Sequence, residues 1–259
     1  MTATLVAGDT WLNNPVVENQ LPDAILETLY MTAATGFFTA LFGLPLGILL
    51  HNLGPKGLTP VPALYRALSL VVDFGRAVPF IVLMLWIIPF TRLVVGTAIG
   101  WEAAVVPLTV GAIPFFARLV ENSLRDVAWG KVEAVRMMGA SDLHVTVNVL
   151  VREGLPGIVG GFTITLVTLI SYTAMAGAVG GGGLGQLAIN YGYHRYQGDV
   201  MLICVLLLVL IVTVVQYTGN FIARRLDHRE SSAAGRRRFI PVPVQQVFPI
   251  HLPSRGTPS

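Results

Sequence analysis

Long runs with no Asp, Glu, Lys or Arg constrain this chain more than any other feature. Thr28 to Pro55, Gly154 to His194 and Val200 to Ala223 each lack all four residue types. A helix needs about 20 mainly apolar residues to cross a hydrocarbon core of about 30 Å, and each of these runs is long enough. In the last one Leu, Ile and Val dominate, and each favours insertion by about 0.3 to 0.6 kcal/mol, which outweighs its few polar residues. Two further spans are less clean. Ala77 to Thr91 must reach upstream through Val71 and take in Asp73 and Arg76, and Ala103 to Ala117 must run past Arg118 toward Asn122. Charged side chains near helix ends snorkel to the interface, so both still read as spans. Only 12% of the 259 residues are charged and the mean hydropathy is +0.69. A soluble domain carries about 25% charge, so lipid is the expected solvent.

The reading is an all-α integral membrane protein with five transmembrane helices, at approximately 24–51, 70–92, 100–123, 155–179 and 199–222. Residues 1–22 form an outer segment, 124–154 a long inner loop, and 230–259 a disordered basic tail. Orientation follows from the positive residues, which short cytoplasmic loops retain. Met1 to Glu27 has no Lys or Arg but has Asp9, Glu18, Asp23 and Glu27; the connection from Arg118 to Arg152 carries Arg118, Arg125, Lys131, Arg136 and Arg152. The tail adds Arg224, Arg225, Arg229, Arg236, Arg237, Arg238 and Arg255. The N-terminus is therefore placed outside and the C-terminus in the cytoplasm. The same placement accounts for the pI near 9.2, because the cations hold topology and meet anionic headgroups rather than nucleic acid. No charged n-region precedes the first apolar run, so no signal peptide is read.

Soluble chemistries find little footing. Cys204 is the single cysteine, and the histidines at 51, 144, 194, 228 and 251 show no paired spacing, so no metal site is expected. Gly180, Gly182 and Gly185 satisfy GxGxxG, but the run follows an apolar helix rather than a strand, so it reads as an outer turn and not a dinucleotide site. Gly130-Lys131 lacks the other residues of a phosphate-binding loop. Any ATP and Mg must be bound by another chain, and no cofactor is expected in this one.

The inner loop is the unusual part. Lys131 to Asp142 reads as a short helix in which Glu133 and Arg136 are spaced to pair and Gly139 is a stop; a second helical stretch follows from Ser141 or Asp142 to Val151. Asp73 with Arg76, and Arg118 with Glu121, are spaced to pair on helices near the inner face. Gly161, Thr165, Thr168, Tyr172 and Met175 recur at 4,3,4,3 spacing and share one face of span four. That stripe suits helix packing or the lining of a path, as do the small-xxx-small pairs Gly43/Gly47 and Gly157/Gly161.

Glu133-Ala134 with Gly139 and Ala140, followed by Leu155-Pro156, resembles the EAA loop of ABC importer permeases. Leu26-Glu-Thr-Leu, Gly43-Leu-Pro-Leu-Gly, Arg76-Ala-Val-Pro-Phe, Ile88-Pro-Phe-Thr-Arg, Val106-Pro-Leu-Thr-Val-Gly, Ala117-Arg-Leu-Val-Glu-Asn and Gly180-Gly-Gly-Gly-Leu-Gly, in that order, make the chain similar to the permeases of methionine ABC importers. The resemblance covers roughly residues 27 to 225. It implies a type I importer permease fold in a bacterial inner membrane, with two copies forming the pathway for D- or L-methionine. It also implies two cytoplasmic ATPase subunits docked on the EAA helix and a periplasmic methionine-binding lipoprotein outside. Glu133, Ala134, Gly139, Ala140, Leu155 and Pro156 would couple to the ATPase. Thr165, Thr168, Tyr172 and Met175 would face the path, Met175 as a gate, with Asp73, Arg76, Arg118 and Glu121 lining the inner vestibule. The family's usual Leu-Pro at the end of the pattern falls at Val151-Arg152 here. A second reading, a secondary transporter or channel driven by its intramembrane charges, has no need of so long an inner loop.

Overall fold

The computed structural model describes residues 14–227, all of them helical or in short connections. The tail from 230 to 259 lies outside them. The first helix, α1 (Pro15–Leu53), starts well before the apolar run. Asn14 caps it by accepting from the Val16 N–H, and Pro15 sits at N1, where its missing N–H costs nothing. At 39 residues it is about 58 Å long, more than the hydrocarbon core needs.

After α1 come α2 (Pro62–Ala77), α3 (Phe80–Trp86) and α4 (Ile88–Val95). The stretch 70–92 is thus not one straight helix: α2 and α3 meet at a bend of 100°. Pro79 is the cause. It disfavours helical geometry at Val78, which is extended at φ −72°, ψ 124°, and it cannot donate to the preceding turn. A left-handed Gly96 at φ 85° then ends α4.

The centre of the bundle is α5 (Trp101–Arg125). A short helix, α6 (Trp129–Met137), follows at the inner end, and then the chain runs helically from Asp142 to Gly177. That run comprises α7 (Asp142–Val145), a π-helical stretch (Thr146–Val151) and α8 (Arg152–Gly177). The second inner stretch and span four, read as separate from sequence, are therefore one 36-residue rod. Arg152 lies where the π stretch passes into α8 without a break. Next come α9 (Gly183–Leu187), a π-helical turn (Ala188–Tyr193) and α10 (Gly198–Leu226).

Small residues decide who touches whom. A Cβ at Gly47 would stand 2.6 Å from the Ala117 carbonyl oxygen, and one at Gly43 would stand 2.9 Å from the Phe116 ring. On an adjoining face of α5, a Cβ at Gly157 would stand 2.9 Å from the Ser123 hydroxyl and one at Gly161 3.1 Å from the Leu119 side chain. Both small-xxx-small pairs thus pack on the same helix, α1 and α8 on adjoining faces of α5. Their registers also give direction. Gly43 and Gly47 meet Phe116 and Ala117–Val120 in ascending order, so α1 and α5 are parallel, whereas Gly157 and Gly161 meet Ser123 and Leu119 in descending order, so α8 is antiparallel. Parallel α1 and α5 require one net return crossing between them, which the broken α2–α3 pair provides. Val200 and Cys204 at the start of α10 pack with Ala24 and Leu184, level with the start of α1, so α10 also runs parallel to it.

Candidate coupling surface and translocation path

At the inner end, Val132 of α6 is fully buried among Leu124, Val127, Val145 and Leu150. That one anchor turns Glu133, Ala134, Arg136, Met137 and Met138 outward. Gly139, at φ 84°, donates its N–H to the Arg136 carbonyl at 2.9 Å, forming the left-handed stop expected from sequence. Ser141 then caps α7 by accepting from the His144 N–H. The expected Glu133–Arg136 pair does not form. Arg136 instead meets Asp142 at 3.0 Å across the Gly139 turn, and Lys131 meets Glu153 at 2.5 Å. These cross-links brace α6 against the rod that becomes α8, and they leave Glu133 with no ion pair among the described residues. Ala140 is half-buried beside Val135 and Gly139, in an open depression of about 350 Å³ that also takes in Met138 and His144. Met137, Met138 and Leu143 are 85%, 77% and 74% exposed, so the tip presents apolar side chains that nothing covers among the described residues. Leu155 and Pro156 lie in the opening turns of α8, half-buried, and continue the helix rather than ending it.

The two intrahelical pairs read near the inner face are both present, and they are joined. Arg118 reaches Glu121 at 2.6 Å, Asp73 at 2.7 Å and the Ser69 hydroxyl at 2.8 Å, linking α5 to α2. Arg76 stands only 3.8 Å from Asp73. Glu121 has no exposed surface, and its carboxylate also accepts from Arg125 at 2.5 Å and from the Tyr65 hydroxyl at 3.1 Å. A buried carboxylate with three donors is the arrangement in which desolvation is offset. Tyr65, Ser69 and Arg125 were not read from sequence. The i,i+4 spacing of Glu121 and Arg125 is a signal that could have found the last of them.

The stripe on span four divides. Thr165 is buried, its hydroxyl donating to the Gly161 carbonyl at 2.9 Å, so both residues serve packing. Thr168 is half-buried and donates to Ile164. Tyr172 stacks flat on Phe80 of α3, with ring centroids 4.5 Å apart. Met175 is 42% exposed, and its side of α8 is open at Gly160, Ile164 and Ser171 as well.

The glycine run at the outer end forms a tight turn. Gly180, Gly182 and Gly183 all have φ between 74° and 86°. Side chains meet three amides of the turn: Gly183 donates to the Glu27 carboxylate at 2.6 Å, Leu184 to the Thr28 hydroxyl at 2.9 Å, and Gly182 to the Gln186 side chain at 2.7 Å. The connection is therefore a short buried helix pinned to α1 and not an open loop, which the charge-free pattern alone could not reveal.

A helical bundle centred on α5, with a broken span beside it and a braced, exposed helix at its inner end, is the architecture of a transporter's membrane-embedded subunit. The chain belongs to the family of binding-protein-dependent transport system inner membrane components, whose model matches residues 43–231. It is 52% identical over 206 residues to a probable D-methionine transport system permease protein of Vibrio cholerae, covering 80% of this chain and 92% of that one. It is 50% identical over 153 residues to the D-methionine transport system permease protein of Escherichia coli K12, covering 59% of this chain and 70% of that one. An inward-facing crystal structure of the MetNI methionine ABC transporter matches with a TM-score of 0.81 at 47% identity, over 82% of this chain and 99% of that one. An amino acid ABC transporter matches at 17% identity with a TM-score of 0.65, a likeness of fold alone.

Proposed function

We propose that this chain is the translocation subunit of an ATP-driven methionine importer, two copies of which enclose the path. It binds no nucleotide; ATP and Mg are bound by two cytoplasmic ATPase subunits that dock on α6, and a binding protein delivers methionine outside. The observation that carries this reading is the union of an exposed α6 with the 36-residue rod of α7 and α8 through Arg136–Asp142 and Lys131–Glu153. A push on α6 is thereby delivered to the helix that holds Thr168, Tyr172 and Met175. The close relatives that carry methionine-transport names supply the substrate. A carrier that works without an ATPase has no need of a braced, exposed inner helix of this kind.

The test is labelled methionine uptake by cells with the chain deleted and then restored, with D- and L-methionine and other amino acids as competitors. Uptake that returns with the chain and is competed only by methionine-like solutes supports the reading. Uptake indifferent to deletion ends it.

A further inference from the structure

The break between α2 and α3 lies at mid-depth. A Cβ at Gly75 would stand 3.0 Å from the Pro114 ring and one at Gly111 3.2 Å from the Leu83 side chain, and residues 111–114 are the middle of the 25-residue α5. Non-helical backbone at that depth is tolerated where it is buried in protein or lines an aqueous cavity. A cleft of about 210 Å³ opens there, lined by Arg76, Phe80, Phe115 and Tyr172 together with Gly75, Val78, Leu83 and Gly111. Two of its features are otherwise unexplained. Arg76 keeps a guanidinium 39% exposed, and its nearest carboxylate, Asp73, is 3.8 Å away and already engaged by Arg118 at 2.7 Å. A cation whose one counter-ion is distant and shared with another guanidinium is placed to take up an anion in the course of function. Beside it, Phe80 and Tyr172 present stacked rings contributed by the broken span and by the rod coupled to α6.

We propose that this cleft is a substrate station inside the path: Arg76 takes the α-carboxylate, and Phe80, Tyr172 and Phe115 take the apolar side chain of the amino acid. The inference rests on the methionine reading above and names the residues that hold the solute on its way through. A planar guanidinium is the side chain suited to a carboxylate, and aromatic walls favour a thioether. The cleft is smaller than the ~300 Å³ at which drug-sized sites begin, in keeping with one amino acid side chain. Because Tyr172 sits on the rod, movement of α6 alters the station directly, so loading and release follow the ATPase.

The test uses the complete transporter in proteoliposomes, with a diazirine analogue of methionine as the probe during turnover and peptide mapping after illumination. The station predicts label on the segments around Phe80 and Tyr172. It also predicts that Arg76→Gln lowers that label and the uptake rate by about tenfold or more, while ATP hydrolysis stimulated by the binding protein persists. Arg76→Lys restores part of both. Label confined to other segments in a transporter that imports methionine overturns the station and leaves the functional reading standing. Failure of the unaltered complex to import methionine overturns both. Should Arg76→Gln fail to assemble, labelling of the unaltered chain decides by itself.

Discussion

The carboxylate of Glu27 accepts the amide of Gly183 at 2.6 Å across 156 residues of sequence. It fixes the outer end of α1 to the turn that follows the rod, at a glycine whose φ of 74° no β-carbon adopts comfortably. A Cβ there would also stand 2.6 Å from the Thr28 hydroxyl. Glu27→Gln is expected to lower stability by about 1 kcal/mol through loss of a charge-assisted bond, and Gly183→Val by about 2 kcal/mol or more through strain and overpacking. Thermal unfolding of the detergent-purified chain, followed by size exclusion, measures both.

Arg118 and Glu121 form the buried core of the inner charge network. Arg118→Met strands the carboxylate with one guanidinium fewer and is expected to cost about 3–5 kcal/mol, whereas Arg118→Met combined with Glu121→Leu recovers much of that loss. A double-mutant cycle on thermal stability reads the coupling. Additive effects would mean the two side chains do not depend on each other.

Of the two α1 glycines that face α5, Gly47 leaves the less room for a side chain. Gly47→Ala is expected to destabilise by about 1–3 kcal/mol, because both facing groups are on the backbone or near it and cannot move away. Gly198→Ala, where a Cβ meets nothing within 4 Å, is expected to be neutral. Equal effects at the two sites would contradict the packing described.

Much of this fold was legible because backbone that crosses lipid must satisfy its own hydrogen bonds, so most of each long charge-free run is helical. The places of α1, α5, α8 and α10, and the Gly139 stop with its Ser141 cap, follow from residue types alone. The 100° break was not foreseen, although Pro79 stood in the quoted run Arg76-Ala-Val-Pro-Phe, because hydropathy does not register a bend. The same holds for Glu27: a carboxylate just before an apolar run reads as a flank, and only its distant partner reveals it as a cap. Arg136 pairing with Asp142 in place of Glu133 depended on the path of the Gly139 turn, which lies beyond any helical spacing rule.

The exposed tip of α6 carries a direct prediction about assembly. Glu133→Lys and Met138→Asp change side chains that touch nothing else in the chain's core, so the permease is expected to fold and reach the membrane. Co-purification of the ATPase is expected to fall by about tenfold for either. Retained complex with both substitutions would place the docking site elsewhere.

The central claim, that this chain moves methionine only when an external ATPase drives it, is tested most directly by uptake into proteoliposomes. The measurement compares labelled methionine accumulation with and without ATP, with the ATPase and binding protein present or omitted. The account predicts accumulation that requires all three and is indifferent to imposed proton or sodium gradients. Accumulation driven by such a gradient in vesicles holding this chain alone would contradict it.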